Sequence, residues 1–269
     1  MAMKRSEITF LMYHEIESPG RPLCHSGSWY SRYALAASDF KAQMDYLKSS
    51  GWVGVNVSSA LTILPIRKIA ITFDDGCETD FLVAAPVLRE IGFGATFYVT
   101  VGWLGTRGYL SEAQLRELCG LGFEVGCHSM THPHLTDIDE AGLRYEISEA
   151  KARLEQIVGK PVEHFSCPGG RYDCHVSEVV RHAGFRSMAT SRIHANSAST
   201  DRFALGRVAI MRGTNLGAFG RLCEGIHRWP RIRQKCTDAA KQLLGNGLYD
   251  RARLNMLRAY ESVPGNSDR

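Results

Sequence analysis

No Cys-x-x-Cys pair occurs among the eight cysteines, which are scattered at positions 24, 77, 119, 127, 167, 174, 223 and 236. A disulfide framework is therefore not expected, and the thiols read as reduced and mostly buried in a cytoplasmic protein. Long apolar runs are also missing. The run from Ile8 to Tyr13 is too short for a secretory core and meets His14-Glu15 rather than a small-residue cleavage site. No later stretch is long enough to span a bilayer. A strong excess of one charge is absent too: the formal net charge is +4, too weak to make nucleic acid an expected partner. Repeats and low-complexity tracts are lacking. What is there, 269 residues with 44% hydrophobic and 22% charged, suits one globular domain of α/β-barrel size.

Apolar, β-rich runs alternate with helical patterns, the signature of repeated β-α units. The predicted strands are Ile8-Tyr13, Ala70-Phe73, Ala95-Val101, Phe123-Cys127, His164-Cys167, Arg186-Thr190 and Arg207-Met211. Helices are predicted from about Asp80 to Ile91, from Ser111-Glu112 through Leu118, from Asp139 to Val158 and near Val176-Ala183. Gly92, Gly122, Gly159 and Gly184 sit where a left-handed residue would end each helix before the next strand. The chemistry-bearing residues fall at the other junctions, where strands end, which is the active-site edge of a parallel barrel. The expected fold is α/β, a partial or distorted (β/α) barrel of seven-stranded type spanning 1–213. Residues 214–269 are read as a basic helical extension packed on it. Between Arg221 and Arg258 nine Lys/Arg stand against three Asp/Glu. That composition fits a solvated helical face, or peripheral contact with an anionic membrane.

Two constellations carry the chemistry. The strand ending at Phe73 runs into Asp74-Asp75-Gly76, and adjacent carboxylates are costly to bury without a cation, a proton or strong donors. One can bind metal while its neighbour acts as general base. The strand ending at Cys127 runs into His128-Ser129-Met130-Thr131-His132, where two His four apart can converge on one cation; His134 is a competing ligand. Asp75, His128 and His132 together would leave coordination positions for water and a substrate oxygen, as catalytic sites require. Zn²⁺ suits these ligands best, with Co, Ni or Mn as alternatives.

Thr72-Phe73-Asp74-Asp75-Gly76 and His128-Ser129-Met130-Thr131-His132 resemble the first two motifs of the polysaccharide deacetylase family (NodB-homology, similar to carbohydrate esterase family 4). The stretch Phe93-Gly94-Ala95-Thr96-Phe97-Tyr98-Val99 has similar spacing, and Phe165-Ser166-Cys167-Pro168-Gly169-Gly170-Arg171-Tyr172-Asp173 resembles the third motif. Leu11-Met12-Tyr13-His14 resembles the first strand of a subgroup acting on biofilm and surface polysaccharides. The resemblance covers roughly Ile8 to Met211. It implies metal-dependent hydrolysis of the acetamido group of an N-acetylated sugar, in surface polysaccharide or glycolipid biosynthesis. It further implies Asp74 as general base, Asp75, His128 and His132 as metal ligands, and the Gly169 amide as donor to the oxyanion.

The chain also departs from that pattern. Ser166 stands where the third motif often has an Arg bracing the base, and Arg171 and Arg207 are both open as substitutes. The Leu-x-His motif supplying a general acid has no match, nor has the Trp-bearing motif. His14, at the end of the first strand, is the candidate for the acid or for a substrate contact, with His194 the weaker one. Cys77, Cys127 and Cys167 flank motif residues and read as buried space-fillers. Two alternatives stay open: a metal amidase acting on a non-sugar acyl amide, and a degenerate, non-catalytic glycan-binding module. The sequence leaves the sugar, the acyl group and the oligomeric state open, and it favours a cytoplasmic site of action, at most peripheral to the inner membrane face.

Overall fold

The computed structural model describes residues 7–25, 27–62 and 67–225. Eight parallel strands form one curled sheet: β1 (Phe10–Tyr13), β2 (Val53–Val55), β3 (Lys68–Phe73), β4 (Thr96–Val99), β5 (Glu124–Cys127), β6 (His164–Ser166), β7 (Ser187–Ala189) and β8 (Val208–Ala209). The spatial order is β8-β1-β3-β4-β5-β6-β7, with β2 beside the first half of β3 and β4 beside its second half. The expected seven-stranded path is present. The added strand, β2, is too short to give a periodic signal, and the sequence reading assigned nothing to it. The helix Ala37–Ser49 (α1) preceding it was likewise unassigned; its buried face is only Phe40, Gln43, Met44 and Leu47.

The two edges of the sheet are joined by one segment. Leu205 bridges to Ala189 in parallel register, and Val208 and Ala209 pair with Leu11 and Met12. This segment closes the distorted barrel.

Side chains on a strand alternate between faces, and the sequence exploits that. The outward set packs under the helices as an aromatic ladder. Tyr13 stacks on Phe73 at 5.3 Å, Phe73 on Phe97 at 4.9 Å, and Phe97 meets Phe123 edge-on at 5.4 Å. Around this ladder lie the buried faces of α1, of Ala85–Ile91 (α2), of Glu112–Gly120 (α3) and of Ala150–Val158 (α4). Ser111 caps α3 in a reciprocal capping box with Gln114, and Gly92 and Gly159 end α2 and α4 in the left-handed conformation. The predicted helix 139–158 is continuous but passes through a π turn at Tyr145–Glu149.

The inward set is different. Phe10, Ala70, Tyr98, Ala189 and Leu205 make a small apolar cluster. Around it sit Thr72, Thr96, His164, Ser166, Ser187 and Arg207, all buried. Gly126 is required here, because a Cβ on it would lie 2.3 Å from the Tyr98 ring. Continuing the alternation one step past β1, β3 and β5 points His14, Asp74 and His128 the same way. The strand ends thereby converge on one rim.

Two further helices of the sheet's outer layer are Cys174–His182 (α5) and Leu216–Cys223 (α6), α6 packing on α1 through Phe219 and Tyr46. The predicted C-terminal extension is described only over 214–225; its basic part, 226–269, lies outside the described residues. Among the described residues no helix is long and apolar enough to cross a membrane.

Candidate active site

Among the described residues, three non-glycine residues have positive φ, and all three are at the rim: Asp75 (81°), Ser129 (68°) and His132 (65°). Such conformations cost on the order of 1 kcal/mol or more each and persist only where surrounding contacts enforce them. The contacts are visible. The Thr100 amide donates to the Asp75 carbonyl at 3.3 Å, and Gly76 (φ 79°) lies so close to Val99 that a side chain would collide. The Ser129 hydroxyl accepts from the His132 amide at 2.9 Å. Buried Glu146, on the π turn, accepts from the Met130 and Thr131 amides at 2.9 and 2.8 Å and from the Thr131 hydroxyl at 2.6 Å. Its carboxylate sets the shape of the His128–His132 loop.

That shape brings the predicted ligands together. One ligand atom each from Asp75, His128 and His132 lie within 4.8 Å of one another. Asp75 Oδ1 is 3.5 Å from His128 Nε2 and 3.6 Å from His132 Nε2. His128 Nδ1 donates to the Ser166 carbonyl at 2.8 Å, which fixes the proton on Nδ1 and turns the Nε2 lone pair inward. Burial lowers the His128 pKa to about 3, outweighing the pull of Asp74, and burial lowers that of His132. Both rings are therefore neutral, the form that binds metal. Burial, with Asp74 and then Glu15 nearby, pushes Asp75 up to about 8. A carboxyl so placed takes up a proton or a cation, and two imidazole lone pairs facing it favour the cation. The residues present fit a divalent metal. Trp103 stacks on the His132 ring at 5.2 Å and holds its orientation from the outer side.

Asp74 has the opposite fate to its neighbour. Burial would raise its pKa, but the Arg207 guanidinium, His128 and His14 hold it well below the usual carboxylate range. Arg207 Nη1 donates to Asp74 Oδ1 at 2.6 Å and Nη2 to Oδ2 at 2.7 Å, a buried bidentate pair. The same guanidinium donates to the Ser166 hydroxyl (2.7 Å) and, through Nε, to the Thr190 carbonyl (3.0 Å). Ser166 in turn donates to Asp74 at 3.2 and 3.3 Å. Of the two open substitutes for the missing brace, Arg207 takes the place; Arg171 is instead near Asp137, at 3.8 Å. Ser166 is small, and its hydroxyl joins the pair where a longer side chain would otherwise stand.

The remaining predicted residues fall around this core. His14 lies on the same rim, its ring 4.6 Å from that of Tyr33, with Nδ1 buried and lacking a hydrogen-bond partner. Burial lowers its pKa to about 4, against the pull of Asp74. Gly169 (φ 60°) sits in the turn Pro168–Gly170, beneath the His134 ring, where a Cβ would come within 3.1 Å of it. His134 is thus drawn towards the Gly169 turn and stands outside the ligand group. His194 bonds the Ala195 carbonyl at 3.1 Å and packs against Gly206. Cys127 and Cys167 are buried in the core as expected, whereas Cys77 has polar neighbours.

Glu146 and Trp103 were not singled out from sequence. Glu146 had a readable signal, a carboxylate within the apolar stripe Leu143, Ile147, Ala150 and Leu154; Trp103 had none.

The polysaccharide deacetylase family model matches residues 63–188. A Bacillus subtilis protein named for that family is 26% identical over 229 residues, covering 83% of this chain and 78% of its own. A poly-β-1,6-N-acetyl-D-glucosamine N-deacetylase of Staphylococcus aureus is 23% identical over 222 residues, 76% of this chain and 74% of its own. The crystal structure of a polysaccharide deacetylase from Bacillus cereus superposes with a TM-score of 0.72 at 25% identity, over 81% of this chain and 69% of that one.

Proposed function

Since the chain belongs to the polysaccharide deacetylase family, we propose that it hydrolyses the acetamido group of an N-acetylated sugar at the rim formed by Asp74, Asp75, His128 and His132. The observation carrying this reading is the split between the two adjacent carboxylates. Asp74 is locked in its charged form by Arg207, while Asp75 faces two neutral imidazoles and needs a cation.

Asp75, His128 and His132 would hold a divalent metal, which when bound polarises the acetyl carbonyl and acidifies the attacking water. Asp74 is positioned to accept the proton of that water. Its low proton affinity makes it a weak base toward free water, so its action depends on a water already acidified. Water oxygen adds to the carbonyl carbon, and the C–N bond breaks to give acetate and a free amine. The Gly169 amide is assigned to the developing oxyanion. The amine leaves carrying a proton, and His14 is the residue of this chain assigned to deliver it or to hold the substrate beside Asp74. With its lowered proton affinity His14 begins as a neutral imidazole, so the proton it passes to the amine is the one that Asp74 took from the attacking water.

The presence of Arg207 favours this reading over a degenerate binding module, because the brace absent from position 166 is supplied from elsewhere. A poly-N-acetylglucosamine chain is the proposed substrate class, by similarity to the Staphylococcus aureus relative. Acetate release from N-acetylglucosamine oligomers, measured with metal content, tests it. Equal acetate and free amine, lost on chelation and restored by Zn²⁺, is the expected result. Metal-loaded protein releasing no acetate from any N-acetylated sugar would sink the sugar assignment. Work in the cytoplasm beside an anionic membrane is a further proposal, resting on the basic composition of residues 221–258. Failure to sediment with anionic liposomes at low salt would remove it.

A further inference from the structure

A second group of metal-ligating side chains lies behind the first. Glu15 follows the end of β1, Cys77 follows Asp75-Gly76, and Cys24 sits on the segment between β1 and α1. One ligand atom from each of the three lies within 4.8 Å of the others. Glu15 is 3% exposed and Cys77 fully buried. We propose that Glu15, Cys24 and Cys77 form a second metal site, selective for a thiophilic divalent cation, which pins the segment around Cys24 against the catalytic rim.

The neighbourhood supports a cation. Among the described residues no Lys or Arg pairs with Glu15, and its oxygens accept only from uncharged groups such as the Cys24 amide, at 3.0 and 3.2 Å. Asp80, next along the chain from this group, is completely buried with no hydrogen-bond partner at either carboxylate oxygen. It lies within electrostatic reach of Cys24, Cys77 and Glu15. The buried Cys77 thiol and the buried Glu15 and Asp80 carboxyls, gathered with the half-buried Cys24 thiol, are expensive unless protonated or shared with a positive ion. Two sulfurs and a carboxylate are a zinc-type donor set, and Asp80 or a water can complete four-coordination. At Zn–S of about 2.3 Å and Zn–O of about 2.0 Å, tetrahedral ligand atoms stand roughly 3.3–3.8 Å apart. The three groups therefore need to close by about 1.5 Å at most.

The consequence for the rim follows from what Cys24 is attached to. Its thiol donates to the Gly108 carbonyl at 3.0 Å, and its neighbour His25 bonds the Tyr109 hydroxyl at 2.7 Å and packs edge-on against Trp103. Trp103 is the ring stacked on His132. A cation at Cys24 and Cys77 would thus hold the aromatic wall that orients one ligand of the first site.

Cobalt substitution tests this without reference to catalysis. The full chain, reduced and loaded with Co²⁺, is expected to show thiolate-to-cobalt charge-transfer absorption in the near ultraviolet, which nitrogen and oxygen ligands do not produce. Cys24→Ser, at a partly exposed position, should abolish the band and bind one equivalent less metal while keeping its circular dichroism. Cys77→Ser should do the same if it folds. His132→Ala should keep the band, which separates this site from the first. Absence of the band in the wild type, its survival in Cys24→Ser, or a Cys24–Cys77 disulfide found by mass spectrometry in place of metal would each overturn the proposal.

Discussion

The two faces of one sheet follow different rules. Outside, Tyr13, Phe73, Phe97 and Phe123 stack under helices, and any well-packed apolar set of that volume would serve. Inside, Thr72, Asp74, Ser166 and Arg207 satisfy one another by hydrogen bonds, and each depends on the identity of its partner. Stability is thus distributed on the outer face, whereas on the inner face stability and the proposed chemistry rest on the same few atoms.

The sharpest way to break this contrast is a cycle at Asp74 and Arg207. Asp74→Asn should lower kcat by about 10²–10⁴-fold, the worth of a positioned general base, while metal content stays unchanged. Arg207→Met alone leaves a buried carboxylate unpaired and should cost about 3–5 kcal/mol in urea unfolding. The double variant should regain most of that stability and none of the activity. Recovery of turnover in the pair would remove Asp74 from the mechanism.

Phe97→Ala supplies the outer-face control. Its ring is fully buried, so unfolding free energy should fall by about 3–5 kcal/mol, with kcat and metal affinity of the folded enzyme little changed. A large selective loss of kcat there would mean the two faces are not separable.

Smaller effects sharpen the picture. Glu146→Gln keeps the shape but weakens the charge-assisted bonds that hold Ser129 and His132 in left-handed backbone. Affinity for the metal, read by chelator competition, should drop about 10–100-fold, as for other residues supporting ligands. An unaltered affinity would show that Ser129 alone sets the loop.

A pH-dependent effect is expected from His164, buried on the inner face between Ser58 and Ser187 at 2.8 Å each. Burial lowers its pKa to about 4, so between the ordinary value of 6.5 and 4 the unfolded chain binds the extra proton. Stability therefore falls as pH falls through that window, by up to about 1.4 kcal/mol per pH unit from this group. His164→Gln should flatten that part of the stability-pH curve; an unchanged slope would assign it to other groups.

Much of the site was legible because strands alternate and end. Asp74-Asp75 and His128 through His132 sit directly after β3 and β5, so period-two alternation and neighbouring parallel strands place them on one rim without knowledge of the rest. The long helix 139–158 and the capping Ser111 were legible for the same local reasons. The short strand β2 and helix α1 were not, since three residues carry no period and the buried side of α1 includes Gln43. The departure at Ser166 read as a missing part, although the part is present elsewhere in the chain.

By itself the sequence determined the barrel class and the candidate metal ligands and base, because strand ends and turns are set by residues a few positions apart. Only the tertiary structure decided that Arg207 rather than Arg171 braces Asp74, across 133 positions, through the segment that joins the two edges of the sheet. It likewise brought Cys24 within bonding reach of Gly108, 84 positions on, and beside Cys77. Barrel closure is a long-range event, and the pairs it makes depend on where the last strand docks, which no local pattern encodes.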